Sequence, residues 1–115
     1  MLDREPIVEG ILDFTYKAGV GVIAYSPLAQ GLLTDRYLNG IPGDSRMAQE
    51  HFLKSERRTP ELLEYLHQLD EKAQASNRSI AQEALKWVLD QKGVTSVLVG
   101  ASSVEQLANN LKTII

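Results

Sequence analysis

Two short polar turns carry the residue types that could hold a ligand. The first, Tyr25-Ser26-Pro27-Leu28-Ala29-Gln30-Gly31, follows an apolar run and sets an aromatic ring beside small polar groups. The second, Gly100-Ala101-Ser102-Ser103-Val104-Glu105-Gln106, follows another apolar run. There a glycine lets a ligand approach the backbone, and serines together with the open N–H groups of a following helix can hold a phosphate. Taken alone, a glycine-serine turn reads more often as an ordinary helix cap. Tyr25 divides evenly between a core ring and a site residue, because it ends a strand beside a polar turn. The remaining candidates read as structure: His51 in a polar loop, His67 beside a leucine face, and Trp87 packed along a helix. Lys54, Arg57 and Arg58 read as a solvated loop face.

The composition narrows the chemistry. The chain has 115 residues, with 12 Lys+Arg against 15 Asp+Glu and a net charge of −3, which allows one domain with a single core. A hydrophobic share of 43% with 23% charged residues is globular rather than disordered. The lack of cysteine excludes disulfides, thiolate zinc sites, iron–sulfur ligation and a cysteine nucleophile. His51 and His67 are the only imidazoles, so no metal site is expected. The acidic excess argues against a nucleic-acid groove, which needs clustered basic residues. The longest charge-free stretch, Ala18 to Thr34, is interrupted by Ser26, Pro27 and Gln30 and is not a membrane span. Asp3, Arg4, Glu5 and Pro6 near Met1 leave no apolar signal-peptide centre, so the expected location is cytoplasmic.

The elements that position the two turns follow from pattern. Pro6 suits the first turn of a helix of about three turns, with Ile7, Ile11, Leu12 and Phe14 recurring and Gly19 as its stop. Val20 to Tyr25 has no polar alternation and reads as a strand buried on both faces, ended by Ser26-Pro27. Leu28 to Tyr37 could form a short helix with Leu32 and Leu33 buried, and Leu38 to Arg58 reads as a loop. Thr59-Pro60 starts a helix with Leu62, Leu66, Leu69 and Ala73 on one face, ending near Ser76-Asn77. Ser79 with Gln82 makes a capping box for the next helix, whose buried face is Ala81, Ala84, Leu85 and Val88 before Gly93 stops it. Val94 to Val99 is the second strand. A last helix, capped by Ser103 with Gln106 or by Ser102 with Glu105, uses Val104, Leu107, Ala108 and Leu111.

Helices between strands mean crossover connections and a parallel sheet, so the fold class is α/β. Two parallel strands that are apolar on both faces require neighbours to pair their outer edges. The chain is therefore expected to be part of a larger sheet or barrel, or to assemble with something that completes one. Alone, it should self-associate or pack loosely.

Taken together, the two turns are more specific than either one. Residues 25–34 (Tyr-Ser-Pro-Leu-Ala-Gln-Gly-Leu-Leu-Thr), then Asn39-Gly40-Ile41-Pro42 and Ser45-Arg46, resemble the seventh-strand region of aldo-keto reductases. Val94 to Ser102, followed by Glu105-Gln106-Leu107 and Asn110, resembles that family's eighth strand and phosphate turn. Residues 81–89, and even Met1-Leu2-Asp3-Arg4 after a sixth strand, fit the same pattern. The resemblance covers essentially the whole chain. It is nearest the branch that holds bacterial glyceraldehyde-3-phosphate-type reductases and potassium-channel β-subunits.

The resemblance implies that residues 1–115 are the C-terminal part, about the last two strands and their helices, of a (β/α)₈ TIM barrel that binds NADP(H). It implies that Tyr25 stacks on the nicotinamide, and that Ser26, Pro27, Leu28 and Gln30 line the pyrophosphate. Arg36 and Arg46 fall near the phosphates and adenosine, and Gly100, Ser102, Gln106, Asn109 and Asn110 around the 2′-phosphate and adenine. Some branches place lysine at the position of Gly100 and arginine at that of Gln106. Both charges are absent here, so discrimination of NADP from NAD would lean on Arg46. The family's catalytic Asp, Tyr, Lys and His belong to motifs that Tyr16, Tyr37, Tyr65, His51 and His67 do not match, so no catalytic residue is carried over. The implied parent reaction is hydride transfer to a small aldehyde or ketone, for which this chain alone should be inactive. The alternative is a non-catalytic truncated or interaction module that pairs through exposed strands.

Overall fold

A computed structural model describes residues 4–28, 33 and 59–114. Its N-terminal part departs from the single three-turn helix expected there. Helices α1 (Glu5–Val8) and α2 (Ile11–Lys17) are separated at Gly10, whose φ is 82°. A residue in the left-handed region cannot continue a right-handed helix, and glycine reaches that region without penalty. Gly10 therefore breaks the pattern that the apolar spacing carries through it. Pro6 does lie in the first turn of α1, and α2 closes at Ala18.

The two expected strands are present and parallel but short. Strand β1 (Ile23–Ala24) pairs with β2 (Ser96–Val97) in the register Ile23 with Ser96 and Ala24 with Val97. Three further bonds flank the pair: the amides of Thr95 and Ser96 donate to the Val22 carbonyl, and that of Leu98 donates to the Ala24 carbonyl at 2.8 Å. The ladder stops at one end because the Val22 N–H donates to the Thr95 hydroxyl at 3.0 Å instead of a backbone carbonyl. It stops at the other because Ser26 turns to φ 49° and Pro27 has no N–H to donate.

Helix α3 (Pro60–Ala75) starts as its sequence indicates: the Thr59 hydroxyl accepts the Leu62 N–H at 3.2 Å. Leu66, Leu69 and Ala73 are buried along one face, and Asn77, at φ 57°, ends the turn that follows. Helix α4 (Ile80–Leu89) opens on a reciprocal box in which the Gln82 amide donates to Ser79 Oγ and the Ser79 amide to Gln82 Oε1. Ile80, Ala84 and Val88 share its buried face, which leaves Ala81 only half-buried, contrary to expectation. Ser79→Ala removes a cap and should lower stability by about 1 kcal/mol. Urea unfolding measures this loss, and an unchanged midpoint would mean that the cap is silent.

The chain divides into two compact units, Met1–Pro27 with Ala84–Ile115, and Leu28–Glu83. In the second, Leu33, Leu66, Leu69, Ala73 and Ile80 form the buried apolar set. Glu83 is buried there too and is held by Arg78 Nη1 at 3.0 Å and Lys72 Nζ at 3.4 Å. Pairing of this kind is what allows a carboxylate to leave water. In the first unit, Leu12, Ala84, Leu85 and Val88 are buried. The Arg4 guanidinium sits 5.1 Å from the Trp87 ring centroid, and Lys92 Nζ 4.4 Å from that of Tyr16. Ile23 and Leu98, at the strand pair, are 63% and 60% exposed.

The last helix, α5 (Val104–Leu111), reverses an expectation. Val104, Leu107 and Leu111 are exposed, whereas Asn110 is buried. Helical spacing identifies an apolar stripe, but burial needs a covering element. Within this unit the helix instead turns Asn110 inward.

Candidate functional site

Parallel pairing decides where the two polar turns emerge. Because β1 and β2 run in the same direction and in register, Tyr25 and Leu98 leave the pair at the same end. That end is where parallel α/β folds place their ligands. Tyr25, directly after β1, is 80% exposed, so its ring is not spent on packing in this unit. Ser26 follows in the left-handed region, which non-glycine residues seldom occupy. Pro27 is buried behind it. Leu28 is half-buried and begins the other compact unit. Gln30, Arg36 and Arg46 lie outside the described residues, as do His51, Lys54, Arg57 and Arg58.

On the β2 side, Gly100 is exposed, and a Cβ added to it would meet nothing within 4 Å. The space beside this turn is thus open to a ligand. Ser103 caps α5, its hydroxyl accepting the Gln106 N–H at 3.0 Å. The Gln106 side chain does not complete a box on Ser103. It reaches back one residue further, where Oε1 accepts both the Ser102 N–H at 2.7 Å and the Ser102 hydroxyl at 3.0 Å. Of the two N-caps the sequence allows, Ser103 is the one adopted, while the Gln106 side chain turns to Ser102.

Further along α5, Asn109 is half-buried and takes part in an interaction of its own. Asn110 is 6% exposed, and its Nδ2 has no hydrogen-bond partner among the described residues. The Thr113 hydroxyl, three residues on, is in the same condition. Buried polar atoms are normally bonded, so each such atom calls for a partner. The sequence carries no signal for Thr113, since a threonine beyond a helix end ordinarily faces water. The structure thus brings Tyr25, Ser26 and Pro27 into one unit with Gly100, Ser102, Gln106, Asn109 and Asn110.

Two further residues of the sequence reading lie on helices. His67 is exposed on α3, and Trp87 is half-buried beneath Arg4. Among the described residues no group of three or more His, Cys, Asp or Glu could hold a metal ion. No described helix is long and apolar enough to cross a membrane. What the arrangement offers chemically is an open aromatic face, a turn with polar donors, and an unspent amide.

Three comparisons bear on this arrangement. The sequence model described as the aldo/keto reductase family matches residues 1–114. The L-glyceraldehyde 3-phosphate reductases of Escherichia coli strain K12 and of Escherichia coli O157:H7 are each 48% identical to this chain over 118 residues, covering 99% of it and 34% of the relative. Among solved structures, a thermostable aldo-keto reductase in complex with the inhibitor epalrestat aligns with a TM-score of 0.61 at 30% identity. That alignment covers 96% of this chain and 30% of the other. The chain thus spans about a third of the length of the relatives it matches. Its α/β architecture, with few strands and many helical residues, is that of part of such a reductase barrel.

Proposed function

The chain belongs to the aldo/keto reductase family, and from that premise we propose that it forms the C-terminal, cofactor-binding part of an NADP(H)-dependent reductase of aldehydes and ketones. One observation carries this reading: the parallel register of β1 and β2 delivers the Tyr25 turn and the Gly100 turn to one end of the pair. A nicotinamide cofactor, when bound, supplies the hydride. The residues suit such a group. Tyr25 offers an uncovered π-face, Gly100 leaves room beside the turn, and Asn110 Nδ2 is a buried donor waiting for an acceptor.

In this reading Tyr25 stacks on the nicotinamide, and Ser26, Pro27, Leu28 and Gln30 line the pyrophosphate. Arg36 and Arg46 offset phosphate charge. Gly100, Ser102, Gln106, Asn109 and Asn110 surround the 2′-phosphate and adenine. No residue of this chain is assigned the role of proton donor to the carbonyl, so purified alone it should bind without turnover. The Escherichia coli relatives are named for L-glyceraldehyde 3-phosphate, which makes a short phosphorylated aldehyde the first substrate to try on the whole protein. A place in the cytoplasm accords with such a role.

Calorimetric titration with NADPH, before and after Arg46→Ala, tests the proposal. The expected result is saturable binding that Arg46→Ala weakens more for NADPH than for a non-nucleotide phosphate. Absence of NADPH and NADH binding in the whole protein overturns it. The exposure of Ile23 and Leu98 favours a second reading, an interaction module that pairs through its strands. Mass measurement showing an assembly with no affinity for either dinucleotide would select that reading.

A further inference from the structure

Val22 and Thr95 are joined by two hydrogen bonds in opposite directions. The Thr95 N–H donates to the Val22 carbonyl at 2.9 Å, and the Val22 N–H donates to the Thr95 hydroxyl at 3.0 Å. In a regular parallel ladder the bonds are evenly spaced and slanted, so one residue's N–H and C=O reach different residues of the neighbouring strand. Here a side chain takes the place of a backbone acceptor, and one residue answers both polar groups of Val22. The Ser96 N–H, at 3.2 Å, adds a further bond to the same carbonyl.

The glycine beside this pair is an independent sign. A Cβ added to Gly21 would stand 3.1 Å from Thr95 Oγ1, tighter than nearly all real contacts of that kind. Gly21 is not one of the glycines with positive φ, so its backbone conformation does not require glycine. What the missing side chain provides is room for the hydroxyl. The arrangement also belongs to a single register. Sliding one strand by two residues, the smallest step that keeps its faces, would set Gly93 or Val97 against Val22. Neither carries a side-chain acceptor. The ladder itself pairs only two residues per strand, so this clamp is a large share of what opposes sliding.

We propose that Thr95 is a positioning residue for the cofactor: by fixing the register of β1 on β2, it sets the span between the Tyr25 and Gly100 turns. Tyr25 lies three residues beyond Val22, and Gly100 five beyond Thr95. A two-residue slide would move one turn past the other by about 6–7 Å. A dinucleotide gripped by both turns senses that span, whereas a ligand gripped by one does not. The proposal rests on the cofactor reading above and adds to it a residue outside the binding turns.

Thr95→Val, which keeps the shape and removes the acceptor, tests this by calorimetric titration with two ligands. NADPH, which spans both turns, should bind roughly threefold to tenfold more weakly, the worth of one net hydrogen bond. Adenosine 2′,5′-bisphosphate, which needs the Gly100 turn alone, should bind unchanged. Thr95→Ser keeps the hydroxyl and should retain the NADPH affinity. In a Tyr25→Ala background Thr95→Val should cost nothing further, because one turn alone then holds the ligand. Without ligand, the Val22 amide should exchange with solvent faster in Thr95→Val than in Thr95→Ser. Gly21→Ala crowds the same bond and should give the same split between the two ligands, which keeps the test open if Thr95→Val does not fold. If both ligands weaken together, or neither does, Thr95 is an ordinary structural residue and the proposal is wrong, while the cofactor reading stands. Failure of the unmodified protein to bind NADPH removes both.

Discussion

Replacing Tyr25 by alanine should weaken NADPH binding about tenfold to a hundredfold, the range found when an aromatic platform is taken from under a base. The unfolding midpoint should barely move. The two effects separate because the Tyr25 ring is 80% exposed and so contributes little buried area to its own unit. Tyr25→Phe keeps the π-face and should retain most of the affinity. Calorimetric titration of the three proteins, with urea unfolding alongside, decides the matter. If Tyr25→Ala binds as tightly as the unmodified protein, the ring is not a cofactor platform. If it unfolds the protein, the ring is a structural residue.

The second large effect is on stability. Gly93→Ala should destabilise the protein by about 2–4 kcal/mol, combining a non-glycine residue in the left-handed region with an overpacked contact. Gly93 has φ 99°, and a Cβ there would stand 2.9 Å from the Leu12 carbonyl oxygen and 3.5 Å from Tyr16 Cβ. The oxygen belongs to the backbone of α2, so relief requires moving the helix that carries the buried Leu12. Gly19→Ala separates the two contributions. Gly19 also has positive φ, at 73°, but its added Cβ would meet nothing within 4 Å. Its cost should stay near 1 kcal/mol, that of the backbone conformation alone. Equal losses in the two variants would show that the close approach of Gly93 to α2 carries no weight.

The exposure pattern of the first unit connects fold to function. Ile23 and Leu98 flank the short ladder with more than half of their surface in water, and Val104 and Leu111 face outward on α5. Such apolar surface suits elements of a larger barrel, in accord with the third of the reductase length that this chain spans. The two polar turns nevertheless keep their order within this unit, because each is closed by hydrogen bonds of the unit itself. Ser103 and Gln106 close one, and the Leu98 amide on the Ala24 carbonyl ties the other to its neighbour.

What the sequence determined by itself was whatever is set within one or two turns of chain. The Thr59 and Ser79 caps, the leucine face of α3, and the parallel order implied by intervening helices were all legible, because their partners lie close in sequence or their period is regular. So was the family resemblance, since it rests on contiguous motifs. Tertiary structure alone decided the rest. That Thr95 would use its hydroxyl to end the ladder at Val22 depends on a partner 73 residues away. That Gly93 would sit against Leu12, and that α5 would bury Asn110 while exposing Val104, depends on which surfaces meet. Helical periodicity says which residues share a face, but only a neighbouring element determines whether that face is covered.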